Sequence, residues 1–171
     1  MTTERKSFVW DLPTRIFHWA LVVSFIFVQG SAEWFQTAHS FFGYTILGLI
    51  SFRILWGLIG PKEARLNTLI PTQESVELHC SQLKQLRFHS HSGHNPLGGM
   101  MVLVLLSTLT LSAVTGHVAQ TEWFWGREWV EEIHEVLTQL SLILVGVHLL
   151  AILIMSGLSG QNLAKRMVKT T

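Results

Sequence analysis

The chain of 171 residues is 49% hydrophobic and only 13% charged, and its formal net charge is +1. This composition is typical of integral membrane proteins, and so small a net charge gives no support for a nucleic-acid partner. Cys80 is the single cysteine, and no Cys-x-x-Cys-His motif occurs. These facts exclude an internal disulfide, an iron–sulfur site with four thiolates from this chain, and a covalent c-type haem.

Four apolar segments are long enough to cross a membrane, which takes about 20 residues. They cover residues 14–35, 39–60, 96–118 and 130–158. Pro13 marks the start of the first segment and Gly60-Pro61 the end of the second. The first segment contains His18 and lacks a small-residue cleavage site, so we expect a permanent helix and not a cleaved signal peptide. We predict an all-α, integral membrane four-helix bundle that forms one domain over residues 1–171.

Positive charges indicate the orientation of this bundle, because cytoplasmic loops are enriched in Lys and Arg. All cationic residues but one lie on the same side of the four-pass arrangement: Arg5, Lys6, Arg15, Arg53, Lys62, Arg65, Lys84, Arg87, Lys165, Arg166 and Lys169. Arg127 is the exception. We therefore predict that both termini and a loop at residues 61–95 are cytoplasmic. In a bacterium, the membrane concerned is the inner membrane and the opposite loops face the periplasm. In this loop, Thr72 is expected to cap a short surface helix that extends to about Arg87.

In this topology, four histidines form two pairs, and the members of each pair lie at the same depth in the membrane. His134 and His148 are fourteen residues apart in the fourth segment, so they lie on nearly the same helix face at roughly 21 Å from each other. His18 lies at the depth of His148, and His39 at the depth of His134. Ionisable side chains in membrane helices usually point into the bundle, where two facing imidazoles can hold haem iron. We interpret the pairs as ligands of two non-covalent b-type haems, although any one of these histidines could instead be structural.

Other residues near these pairs could contact a haem. Arg15 and Arg53 are placed to bind the carboxylates of the cytoplasmic haem, although Arg15 could instead extend to lipid headgroups. Glycines beside the histidines allow either close approach of a porphyrin or ordinary helix packing: Gly43, Gly48, Gly116 and Gly146. His117, at the end of the third segment, could be a further ligand, a proton carrier or an interfacial side chain, and we favour the last.

The loop contains a second group of histidines, His89, His91 and His94. Their density alone resembles a metal-binding tract. No carboxylate or thiolate accompanies them at a fixed spacing, so we interpret the tract as a solvated loop.

Several motifs in chain order resemble those of the prokaryotic cytochrome b561 family, and most closely the b-type cytochrome subunit of membrane-bound nickel–iron hydrogenases. The motifs are VWDLPTRIFHW at 9–19, HSFFGY at 39–44, FRILWG at 52–57, GHNPLGG at 93–99 and EIHE at 132–135. The resemblance implies four membrane helices, two b haems and electron transfer with quinone. The positions of the haem ligands in that family match the four paired histidines, His18, His39, His134 and His148. Asn95 matches a residue beside the quinone pocket of a related cytochrome, whereas His117 replaces an apolar residue.

These observations lead to one main functional hypothesis and two alternatives. The main hypothesis is a dihaem membrane cytochrome that transfers electrons between quinone and a redox protein, either a hydrogenase-like subunit or a multihaem cytochrome c. The first alternative, which the resemblance suggests, is a superoxide oxidase that reduces ubiquinone. The predicted periplasmic side opposes it, because acidic residues there outnumber Arg127 and would repel an anion. The second alternative is a cofactor-free membrane anchor whose histidines are structural.

Overall fold

A computed structural model of the chain describes residues 10–84, 96–160 and 162–168. The described residues form helices and turns without any strand, which confirms the all-α prediction. The α-helices are α1 (Leu12–Ser31), α2 (Gln36–Ile59), α3 (Gln73–Lys84), α4 (Pro96–Ala119) and α5 (Glu128–Ser159). Short 3-10 helices cover Lys62–Ala64, Leu66–Leu69 and Ala164–Met167. By length and composition, α1, α2, α4 and α5 could each cross a membrane.

The four long helices enclose an open interior. Helix α1 packs on α2, α2 on α4, and α4 on α5, whereas α1 and α5 do not form a packed pair among the described residues. The buried apolar cluster of Val28, Ile46, Ile50 and Leu109 joins α1, α2 and α4. Only 6% of the most apolar window of α5 is buried. Long side chains of α5 therefore face outward, as expected of a helix that contacts lipid.

The two ends of the bundle differ in their connections. We call the end with the connections at residues 32–35 and 120–127 the short-loop end, and the opposite end the terminal end. At the terminal end, the Asp11 carboxylate accepts hydrogen bonds from the Thr14 backbone N–H at 3.2 Å and its hydroxyl at 2.8 Å. The same carboxylate accepts a bond from the Trp56 indole N–H at 2.9 Å. Asp11 thus caps α1 and ties its start to the end of α2.

The segment after α2 folds back against the helices. Ala64 and Leu69 are buried within it, at 0% and 2% exposure. The Leu66 side chain contacts the position where Gly57 lacks a Cβ atom, and a Cβ atom at Gly99 would lie 2.6 Å from the Leu69 carbonyl oxygen. The two glycines therefore let the segment pack closely between α2 and α4, which the sequence did not reveal. Beyond it, the Thr72 hydroxyl caps α3 by accepting a bond from the Ser75 N–H at 3.3 Å.

The predicted helix ends differ from the structure at the short-loop end. We predicted that the first helix continues to Phe35, but α1 ends at Ser31 and α2 already begins at Gln36. Trp34 and Phe35 are 78% and 67% exposed. Their apolar character extended the hydrophobic segment in sequence, although they lie in the connection, where aromatic residues favour the membrane interface. Helix α5 ends before Gly160, whose φ of 65° is typical of a helix C-terminus.

Candidate functional site

The structure brings His39 of α2 and His134 of α5 together near the short-loop end. Their ring centres are 6.1 Å apart, and the ring planes are nearly perpendicular at 88°. A bond from a metal ion to an imidazole nitrogen is about 2 Å long, so two imidazoles on opposite sides of one metal ion have ring centres roughly 6 Å apart. The spacing of His39 and His134 therefore suits a single metal ion between them.

Backbone carbonyls orient both of these imidazoles. The Nδ1 atom of His39 lies 2.9 Å from the Val28 carbonyl oxygen. The Nδ1 atom of His134 lies 2.9 Å from the Ser112 carbonyl oxygen. A carbonyl oxygen only accepts hydrogen bonds, so each Nδ1 carries a proton, and in the neutral imidazole Nε2 keeps its lone pair. This is the tautomer that a metal-binding histidine needs when its other nitrogen donates to a carbonyl.

Gly116 makes room for the His134 ring. A Cβ atom at this position would lie 2.8 Å from Cε1 of His134 and 3.2 Å from its Nδ1. Any larger residue would push the imidazole away from α4. By contrast, a Cβ atom at Gly43, Gly48 or Gly146 would meet no atom within 4 Å. Gly116 therefore has a specific contact with a site residue, whereas the other three predicted glycines border open space.

A small cavity of about 60 Å³ lies beside this histidine pair. All four long helices line it, and both His39 and His134 are among its lining residues. A second, larger opening of about 870 Å³ lies at the short-loop end, shares these two histidines and is lined by Glu33, Glu131 and Glu135. Its volume is within the range of about 300–1,000 Å³ typical of ligand and cofactor pockets. This opening thus has space for a cofactor next to the paired imidazoles.

The second predicted pair, His18 of α1 and His148 of α5, lies toward the terminal end. His148 is within electrostatic range of His18. The Nδ1 atom of His18 is buried and has no hydrogen-bond partner among the described residues. A buried polar atom without a partner is costly. Helices α1 and α5, which carry these two histidines, do not form a packed pair among the described residues.

Arg53 is the buried cation of the terminal half. Its side chain is 3% exposed, and its Nη1 atom has no hydrogen-bond partner among the described residues. Asp11 is close enough to interact with it electrostatically. Arg15 is half-buried in the first turn of α1. Asn95 and the histidines of the loop tract lie outside the described residues, so their predicted roles stay predictions.

Two polar pairs that the sequence did not predict connect α2 with the end of α4. The Tyr44 hydroxyl lies 2.8 Å from Nδ1 of His117. The Gln120 side-chain amide donates a 3.0 Å hydrogen bond to the Ser40 hydroxyl. All four residues line the cavity beside His39 and His134. The helical spacing of Ser40 and Tyr44 was the available signal, because residues four apart lie on the same helix face.

The donor set suits a haem. Within the described ranges, no group of three or more His, Cys, Asp or Glu side chains could hold a metal ion. A haem iron takes its other ligands from the macrocycle and needs from the protein only axial ligands, which paired imidazoles can supply. The two histidine pairs, the open interior and the buried, unpartnered Nδ1 of His18 all fit such a group.

The model of the family described as prokaryotic cytochrome b561, which is of the hydrogenase-associated cytochrome b type, matches residues 9–170. This match includes all four long helices and all four paired histidines. No significant match was found among curated proteins or among solved structures.

Proposed function

Because the chain belongs to the prokaryotic cytochrome b561 family, we propose that it is a dihaem subunit that transfers electrons between a redox protein and quinone. Family membership makes the chain a multi-pass membrane cytochrome of the b type. The number of haems, their ligands and the electron partners belong to the proposal. The observation that carries it is the 6.1 Å spacing of His39 and His134, with both Nδ1 atoms held by backbone carbonyls.

Helix α5 has the central role in this proposal because it provides one ligand of each pair. His134 partners His39 of α2, and His148 partners His18 of α1. Since α5 is one continuous helix, the fourteen-residue separation of its two histidines places the sites roughly 21 Å apart along its axis. Two sites at different depths divide the path across the bilayer into shorter steps. When bound, each haem supplies one-electron redox chemistry.

The remaining side chains bind and tune the cofactors. Arg53 offers a cationic partner for a haem carboxylate at the terminal end, and Asp11 holds the helix ends on either side of it in place. A buried cation favours the reduced, more negative state of a nearby redox group. The interior provides the low-dielectric surroundings in which such a charge acts strongly.

Electrons enter or leave at both ends of the bundle in this proposal. Quinone, which is lipid-soluble, exchanges at one end, and a hydrogenase-like subunit or a multihaem cytochrome c docks at the other. The acids at the short-loop opening, Glu33, Glu131 and Glu135, disfavour the superoxide alternative, because they would repel an anion that approaches the cavity.

The test is the haem content of the purified full chain, measured as pyridine haemochrome per chain. We expect two b haems in the wild type and one in each of His134→Ala and His148→Ala. Leu149→Ala is the matched control, since Leu149 is 56% exposed on the same helix, and it should retain both haems. One haem or none in the wild type would refute the two-site arrangement. Two haems without quinone-dependent oxidation or reduction would refute the quinone part alone.

A further inference from the structure

The Tyr44–His117 pair stands at one edge of the cavity that contains His39 and His134. The Tyr44 hydroxyl and His117 Nδ1 are 2.8 Å apart, and their ring centres are 5.7 Å apart. The bond joins α2 to α4, and the Gln120–Ser40 bond joins α2 to the residue that follows α4. His117 and Tyr44 are both exposed, at an edge of the membrane-embedded bundle. Both also line the cavity, and an ionisable side chain that borders a cavity in a membrane bundle is a candidate functional group.

The cavity lining limits what this pair can bind. Its titratable residues, within the described part of the chain, are His39, Tyr44, His117 and His134. His39 and His134 are the proposed iron ligands, and their Nδ1 atoms already donate to backbone carbonyls. Of the titratable lining residues, this leaves Tyr44 and His117 to bind a charged part of a molecule in the cavity.

The two openings of the site differ in charge. The larger opening at the short-loop end is lined by Glu33, Glu131 and Glu135, which would repel a carboxylate. The edge with Tyr44 and His117 carries no acidic side chain among its lining residues. A bound b-type haem has two carboxylates besides its apolar ring, and these groups need hydrogen-bond donors or cations. Electrostatics therefore directs them away from the glutamates and toward the Tyr44–His117 edge.

Whether His117 is neutral or protonated, the Tyr44–His117 pair has a hydrogen-bond donor available for a third group. If His117 is neutral, the Tyr44 hydroxyl donates to Nδ1, and the Nε2–H of His117 stays available. If His117 is protonated, Nδ1–H donates to the Tyr44 oxygen, and both the hydroxyl and Nε2–H are available.

We infer that Tyr44 and His117 bind a carboxylate of the haem that His39 and His134 hold. This inference rests on the proposed function, and it explains why a histidine stands where the resemblance leads one to expect an apolar residue. Tyr44 and His117 are binding residues here, and they fix how the macrocycle is rotated between its axial ligands.

The experiment compares two probes, iron protoporphyrin IX and its dimethyl ester, which lacks the carboxylate charges. Each is titrated into the haem-depleted full chain carrying His148→Ala, and binding is followed by Soret absorbance. Tyr44→Phe and His117→Leu are made in this background. Ser51→Ala is the control, because Ser51 is exposed on α2 and its hydroxyl donates to the Leu47 carbonyl oxygen of its own helix.

The expected result is a preference for the free acid that depends on the pair. Hydrogen bonds to charged groups correspond to a factor of about 10 to 100 in affinity. Tyr44→Phe and His117→Leu should each reduce the ratio of the affinity for the free acid to the affinity for the ester, because each removes a hydrogen bond to the carboxylate. Both variants should retain a bis-imidazole spectrum. Ser51→Ala should keep the parent ratio.

Three other results would overturn the inference. Variants that keep the parent acid-to-ester ratio would show that the pair does not contact the carboxylates. Equal binding of the acid and the ester by the parent chain would also show that the pair does not contact the carboxylates. Neither of these two results would contradict the proposed function. A parent chain that binds neither probe with a bis-imidazole spectrum would refute the His39–His134 haem site and the inference together.

Discussion

The Nδ1 atom of His39 lies 2.9 Å from the carbonyl oxygen of Val28, so helix α1 orients an imidazole that α2 carries. His134 of α5 is oriented in the same way by the carbonyl of Ser112 on α4. Each acceptor belongs to the backbone of the neighbouring helix and does not depend on the side chain of the residue that provides it. The site should therefore tolerate side-chain changes at Val28 and Ser112 better than changes that shift the helices.

Gly116→Ala is predicted to weaken haem binding at the His39–His134 site. The added methyl group would lie 2.8 Å from Cε1 of His134, and overpacking of this kind costs about 1–3 kcal/mol. We expect haem loss from one site only, measured as pyridine haemochrome after dilution into haem-free detergent. Gly157→Ala is the matched control, because a Cβ atom there meets nothing within 4 Å. Equal haem loss in the two variants would contradict the prediction.

Arg53→Met is predicted to lower the midpoint potential of one haem. The substitution removes a cation that is 3% exposed, which destabilises the more negative, reduced state. A change of about 1.4 kcal/mol corresponds to about 60 mV for one electron, and we expect a decrease of this order in a potentiometric titration. In Arg53→Lys, the midpoint potential should stay close to the wild-type value, since the substitution keeps the positive charge. Lys165→Met, at an exposed position, should leave both potentials unchanged, and a similar shift there would assign the effect to net charge alone.

The depth of each histidine along the bundle axis could be predicted from the sequence. It depends only on the rise per residue of the helix and on the alternating direction of successive helices. This reasoning placed His39 opposite His134, and the structure brings their rings to 6.1 Å. The ligand roles of these residues stay predictions. The Tyr44–His117 bond could not be predicted in the same way. Depth says nothing about how far each helix is rotated about its axis, and this rotation decides which faces of α2 and α4 meet.

Two other features were missed for a related physical reason. Gly57 and Gly99 looked like small residues in apolar helices, and such residues pack against many kinds of neighbour. Nothing local in the sequence indicated that residues 60–70 would fold back onto both glycines. The end of α1 was misplaced because hydrophobicity does not distinguish a helical aromatic residue from an interfacial one such as Trp34.

Gly99→Val is predicted to release the segment that packs between α2 and α4. The new side chain would overlap the backbone of Leu69, which lies 2.6 Å from the position of a Cβ atom. Backbone cannot move aside as a flexible side chain can, so the segment should detach. We expect faster tryptic cleavage after Arg65, followed by mass spectrometry of the fragments. Gly48→Val serves as the control, since its Cβ position is open. Unchanged cleavage in Gly99→Val would show that the packing tolerates the larger side chain.

The predicted orientation can be tested with single cysteines on either side of α5. In a Cys80→Ser background, Glu122→Cys places a thiol in the short-loop connection and Lys165→Cys places one after α5, both at exposed positions. Because cationic residues favour the cytoplasmic side, a membrane-impermeant maleimide should label Glu122→Cys in intact cells. Lys165→Cys should react only after the membrane is opened. The reverse pattern would invert the topology, and labelling of both thiols in intact cells would mean that α5 does not cross the membrane.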